Sequence, residues 1–258
     1  DGELKCILEF VNIDSELSLE IRTSSVAIVY YKKSKILSLH SRCKEPKMLS
    51  AGYWKNEKVP SIDLQQPELY FQIAKTHVDN FTTKKNNIEF SIQQKIHTDN
   101  NSVNNAFLTV DMEYQFAQNI IKERTSKKTR FDIVAVDLLN NKIILFELKQ
   151  GFASSEGTSG VTDHLSKYVE HIKHPEFSKS LISDIKSIIE QKETLGIFSF
   201  DSKPILNNLD SATIEFNVIF AFNNIDEKLY YQKKYGIKNK TLFVDISDSK
   251  YILKQDDL

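Results

Sequence analysis

The chain has 258 residues, with 34 Lys and Arg against 35 Asp and Glu, a formal charge of −1 at pH 7. That balance excludes a global basic field for nucleic acid and leaves any such binding to local patches. Apolar residues make up 40% of the chain, enough for a sizeable core, while no apolar run approaches a membrane span and no signal peptide is visible. Two cysteines, Cys6 and Cys43, form neither a disulfide framework nor a zinc pattern, which suits a reducing, cytoplasmic setting. The length admits one large domain or two smaller ones, and opening on Asp1 rather than Met leaves room for an upstream segment.

Residues 1–97 read as a β-rich module. Leu4 to Ile13 is mostly apolar, and Leu17, Leu19 and Ile21 alternate with Ser18, Glu20 and Arg22 in a strand-like period of two. Val26–Tyr31 and Ile36–His40 flank Lys32-Lys33-Ser34-Lys35, the pattern of a hairpin. Trp54 next to Lys55 suits either the closing of a small core or stacking on a base or partner. Glu68 to Val78 predicts a helix and Asn87 to Ile96 a strand. The polar run His97–Asn105, HTDNNSVNN, has no periodicity and marks a boundary.

After the boundary, Val110, Glu113 or Tyr114, Ala117, Ile120 and Ile121 recur at helical spacing, with Thr109 or Asp111 as the start. Glu113 then lies towards the apolar side, either at the margin of the stripe or with a task there. Lys122 to Arg130, KERTSKKTR, is strongly basic. Such a run suits a solvated loop or, through Lys127, Lys128 and Arg130, contacts to phosphates.

Arg130 to Gly151, RFDIVAVDLLNNKIILFELKQG, reads as two apolar strands around Asn140-Asn141 as a two-residue hairpin loop. In that register Leu139 pairs with Lys142, Val134 faces Glu147 and Asp132 faces Lys149. One face carries Val134, Val136, Leu138, Ile143 and Leu145; the other carries Phe131, Ile133, Ala135, Ile144, Phe146 and Leu148. Two apolar faces describe a buried central pair. Asp132, Glu147 and Lys149 fall on one face at one end of it. Charges there form an ion pair or a metal site, since two carboxylates suffice to hold a magnesium ion that keeps water and phosphate in its shell.

Asp132, fourteen intervening residues and then Glu147-Leu148-Lys149 resemble the signature of the PD-(D/E)xK nucleases, the restriction-endonuclease-like superfamily, with Phe131 in place of the usual proline. The resemblance spans about residues 106–222. It implies an α/β fold: a mixed-sheet core flanked by helices over 106–258, following the N-terminal β-rich module. It also implies a Mg2+- or Mn2+-dependent endonuclease acting on nucleic acid, chiefly DNA, in settings such as restriction or anti-phage defence. Asp132 and Glu147 would bind the metal, Lys149 would position or activate water, and Glu113 would assist from a preceding helix. The small, polar run 151–160 is a linker or a closing loop. On the next helix Tyr168 matches the superfamily's aromatic position, with His164 where a glutamine is usual; both are candidate substrate contacts.

Ser178–Glu193 reads as a packing helix, and Ile214–Phe222 and Leu242–Ile246 as buried strands. Between them, lysines and tyrosines interleave from Lys228 to Lys240, suiting packing or a surface that tracks a nucleic-acid backbone. The N-terminal module is a candidate protein-partner surface, and a homo-oligomer is compatible with the sequence. The alternative function is a catalytically inactive nucleic-acid-binding or protein-interaction module on the same fold.

Overall fold

A computed structural model describes residues 5–22, 26–32, 34–40, 46–54, 60–82, 88–115, 130–151, 161, 168, 175–236 and 241–254. The protein is mixed α/β, with two sheets and six α-helices among the described residues. No helix among them is long and apolar enough to cross a membrane.

The first sheet is an antiparallel meander of β1 (Leu17–Arg22), β2 (Val26–Tyr31), β3 (Ser34–His40) and the short β4 (Lys47–Met48). The anticipated hairpin is β2–β3, joined where Tyr31 pairs with Ser34. Helices α1 (Lys5–Ile13) and α2 (Glu68–Thr82) cover one face, where Leu17, Leu19 and Ile21 meet Ile7, Val11, Phe71, Ala74 and Val78. Trp54 closes this core: it is buried, its indole N–H donates to the Leu49 carbonyl at 2.9 Å, and its ring lies 4.3 Å from that of His77. The alternation in β1 holds as expected, but its polar side is not solvated. Glu20 is fully buried and Ser18 nearly so, because that side packs against the second sheet.

The second sheet has the order β5 (Phe107–Gln115), β6 (Arg130–Asp137), β7 (Lys142–Gln150), β8 (Thr213–Phe222) and β9 (Thr241–Asp245). Strands β5 to β7 are antiparallel neighbours, whereas β7–β8 and β8–β9 run parallel. A parallel step needs a long crossover. Between β7 and β8 lie the helical residues Val161 and Tyr168, then α4 (Pro175–Thr194) and α5 (Lys203–Leu209). α4 buries Phe177, Leu181, Ile185, Ile188 and Ile189 on one face of the sheet, as its 3.6-residue spacing predicts. The other face takes α3 (Ile88–Asp99) through Ile92 and Ile96, together with Leu253 near the C-terminus. α6 (Ile225–Tyr231) and a π turn (Gln232–Gly236) precede β9, and Tyr231 and Tyr235 stack on Phe220 at 4.4 and 5.1 Å. Those two tyrosines are packing, while Tyr230 keeps a hydrogen bond with Lys234 at 2.8 Å.

Several expected elements differ. Leu4–Ile13 sits in a nominally β-rich module, yet Lys5–Ile13 is a helix. Of Asn87–Ile96, expected as a strand, Asn87 lies outside the described residues and residues 88–96 belong to helix α3. Its signal is obscured because the helix touches polar partners on two sides and buries Gln93, Gln94 and His97 beside Ile92 and Ile96. Where a helix was expected to start, at Thr109 or Asp111, the chain is strand β5 over Phe107–Gln115, whose buried Asp111 and Glu113 break the apolar alternation; Ala117, Ile120 and Ile121 lie outside the described residues. The run His97–Asn105 is tied down rather than loose: Asn100 is buried and bonds Ile96, Tyr251 and Leu253.

Candidate active site

The β6–β7 turn sets the site's register. Asp137, not Leu139, pairs with Lys142, so the loop has four residues and the ladder is offset by two from the expected one. The cause is Asp137, whose carboxylate accepts from the backbone N–H groups of Leu139 (3.1 Å) and Asn140 (3.0 Å) and from the Asn140 amide (2.9 Å). Asn141 closes the loop in the left-handed region with φ 51°. A slip of two leaves every side chain on its own face, since the strand period is two. Val134 therefore pairs with Leu145 rather than facing Glu147, and the regular ladder ends at Ile133 opposite Phe146, one residue before Asp132.

The expected faces hold through the hairpin's middle. Val134, Val136, Ile143 and Leu145 lie under α4, and Ile133, Ala135, Ile144, Phe146 and Leu148 lie towards α3. Phe131 is the exception. It joins the α4 side, its ring 4.8 Å from Tyr168 and 6.3 Å from Phe177. Alternation thus breaks at Asp132. In β5 the same happens opposite, between Met112, which pairs with Ile133, and Tyr114, which pairs with Phe131. The intervening residue is Glu113, with φ 56°. A non-glycine residue in that region costs on the order of 1–3 kcal/mol and tends to mark functional backbone.

Asp132, Glu147 and Lys149 lie beside this paired irregularity, and Glu113 lies within it. The Asp132 carboxylate accepts the Leu148 backbone N–H at 2.9 Å, where a regular ladder would offer a strand carbonyl, and so reaches the residue next to Glu147. Glu147 and Lys149, two apart on β7 and both buried, form an ion pair at 2.8 Å. The Tyr168 hydroxyl donates to the Arg130 carbonyl at 3.0 Å and lies 3.5 Å from the other Glu147 oxygen. Burial, then the Glu147 and Asp132 carboxylates, push that phenol well above its ordinary pKa. Tyr168 therefore stays a neutral donor facing both carboxylates.

Glu113 is buried on the far side of Asp132. One oxygen accepts from the Gln93 amide at 3.2 Å and the other from the Arg130 guanidinium at 2.6 Å. The same Gln93 nitrogen donates to the Asp132 carbonyl. Glu113 therefore lies on a strand rather than the expected helix, and is linked to Asp132 through Gln93 and the backbone carbonyl. The element preceding the meander, α3, contributes Gln93 instead, a residue hidden from sequence reading by the misassigned helix.

No family model, curated protein or solved structure matches this chain.

Of the nine residues singled out in the sequence, Asp132, Glu147, Lys149, Glu113, Arg130 and Tyr168 converge here; Lys127, Lys128 and His164 lie outside the described residues. Arg130, expected to meet phosphate, is half-exposed and gives one guanidinium nitrogen to Glu113. Among the described residues no three His, Cys, Asp or Glu side chains gather as a ready metal cage. The donor set is that of a minimal site. Asp132 and Glu147 offer hard carboxylate oxygens, a type that could hold a magnesium ion, which commonly keeps water and phosphate in its shell.

Proposed function

We propose that the protein is a metal-dependent nuclease of the restriction-endonuclease-like type, hydrolysing phosphodiester bonds, most naturally in DNA. The observation that carries the reading is the convergence of Asp132, Glu147 and Lys149 at one end of the β6–β7 pair, with the Asp132 carboxylate bonded to the Leu148 N–H. Of the expected order of helix, hairpin, helix and strand, an antiparallel hairpin (β6–β7), a helical crossover and a parallel strand (β8) support it, whereas β5 stands where the leading helix was expected to start.

On this reading Asp132 and Glu147 would hold Mg2+ or Mn2+, which would neutralise phosphate charge and lower the pKa of bound water. The chain's own groups do the rest. Lys149 exchanges its bond with Glu147 for the attacking water or a phosphate oxygen, placing a positive charge where negative charge develops. Tyr168 holds the Glu147 carboxylate from behind, and Glu113 with Gln93 fixes the backbone of Asp132. The basic run 122–130, ending in Arg130, supplies non-sequence-specific attraction for the phosphate backbone.

Cleavage of plasmid and single-stranded DNA with Mg2+ or Mn2+ tests the proposal. Wild type is expected to cut, and Lys149→Ala and Asp132→Ala each to lose about a hundredfold or more, the scale for removing one group that stabilises developing charge. A second reading, a nucleic-acid-binding module without catalysis, is favoured by the Lys149–Glu147 pair, which neutralises a ligand carboxylate internally. It requires DNA binding that survives chelator and no cutting with either metal.

A further inference from the structure

Arg22 belongs to β1 of the N-terminal sheet, far from the hairpin in sequence, yet its guanidinium lies along the β5 backbone where that strand breaks. One nitrogen donates to the Met112 carbonyl at 2.6 Å and reaches the Glu113 carbonyl at 3.5 Å; the other contacts the Asp111 carboxylate. Asp111 is fully buried and the Arg22 side chain is partly exposed. From the first sheet, the Tyr30 hydroxyl meets the same guanidinium at 3.5 Å. A planar fork of donors suits several fixed acceptors at once, a task for which lysine is poorly shaped. The three residues it spans, Asp111 to Glu113, include the left-handed one, and the Glu113 side chain then leads through Gln93 to the Asp132 carbonyl.

We propose that Arg22 is a positioning residue for the acidic site: the N-terminal sheet uses it to hold the turn at Glu113, and so the placement of Asp132 beside Glu147. This rests on the nuclease reading for its activity readout. The N-terminal sheet is then part of the catalytic framework rather than only a recognition module. Arg22 acts through backbone and touches neither metal nor substrate, so its loss weakens metal binding and turnover while leaving affinity for DNA alone.

The test compares wild type with Arg22→Lys, which keeps the charge that answers Asp111, and with the double variant Arg22→Met/Asp111→Asn, which leaves no buried charge unpaired. Direct Mn2+ titration of the full chain is read beside steady-state cleavage of DNA. In variants whose unfolding is as cooperative as that measured for wild type alongside them, Mn2+ affinity and kcat are expected to fall about ten- to a hundredfold, the range for groups that orient metal ligands. KM for DNA stays constant, and Arg22→Lys lies between wild type and the double variant. Wild-type Mn2+ affinity and kcat in the folded double variant overturn the proposal. So does a rise in KM with kcat unchanged, which would make Arg22 a substrate contact. A wild-type protein that neither binds Mn2+ nor cuts removes the nuclease reading itself, and the proposal with it.

Discussion

Glu113 concentrates the residue-scale physics of the site. Its carboxylate is shared between Gln93 and Arg130, and its backbone is held at φ 56°. Glycine adopts that conformation without penalty, whereas a β-branched residue is strongly opposed. Glu113→Gly and Glu113→Val both delete the carboxylate, so their difference isolates the backbone. Urea unfolding is expected to find the valine variant less stable than the glycine variant by about 1–3 kcal/mol. Lys149 is the other telling residue. Its buried pairing with Glu147 explains how a charge can sit at the end of an apolar hairpin, since uncompensated it would be costly there. Residue type and spacing in the sequence already pointed to Asp132, Glu147 and Lys149. Gln93 was not legible, because a glutamine in a polar stretch carries no signal until its partners are known.

At the scale of elements, the β6–β7 hairpin shows why an error of register did no harm to the site. Asp137 lengthened the loop from two residues to four, yet an even slip preserves both faces. Asp137→Ala frees two backbone N–H groups of the turn. Thermal or urea unfolding is expected to register a loss of about 1–2 kcal/mol, with DNA cleavage unchanged because the turn lies at the opposite end of the hairpin from the site. Helices α4 and α3 contrast in legibility. α4 buries an apolar stripe from Phe177 to Ile189, with Lys192 only at its end, and was readable. α3 serves a sheet on either side, so its buried face mixes Gln93, Gln94 and His97 with isoleucines and loses the apolar period.

At the scale of the whole molecule, the two sheets are joined by buried charge. Glu20 of β1 meets His97 of α3 at 2.6 Å and Lys192 of α4 at 2.9 Å, and Lys192 also donates to the Val110 carbonyl of β5 at 2.7 Å. Burial raises the Glu20 carboxyl, but His97, Lys192 and Arg22 outweigh it and hold the group at about 2. Burial likewise keeps His97 and Lys192 below their ordinary values against the pull of Glu20. Lys192→Met strands the Glu20 carboxylate and is expected to cost about 3–5 kcal/mol in chemical denaturation, with the double variant Glu20→Gln/Lys192→Met recovering part of it. The pH dependence follows from the same groups. Below pH 6.5 the unfolded chain gains a proton at His97 that the folded chain resists, so stability falls as the pH drops from there. Glu20 binds protons less readily when folded, so its contribution is present above pH 4.5 and lost as the pH falls through about 2. His97→Gln is expected to flatten the stability profile between pH 7 and 5.

The sequence by itself determined the apolar strands, the packing helix α4, the alternation of β1 and the placing of Glu147 and Lys149 on one face of β7. These depend on local period and on the parity of positions along a strand, which are properties of the chain alone. Only the tertiary structure decided that Leu17–Arg22 hides its polar side, that the break at Glu113 faces the break at Asp132, and that Arg22 spans that break. Each of those depends on which distant group arrives opposite a given residue. A buried charge or a strained backbone is stable only once its partner is in place, so local sequence alone does not specify it.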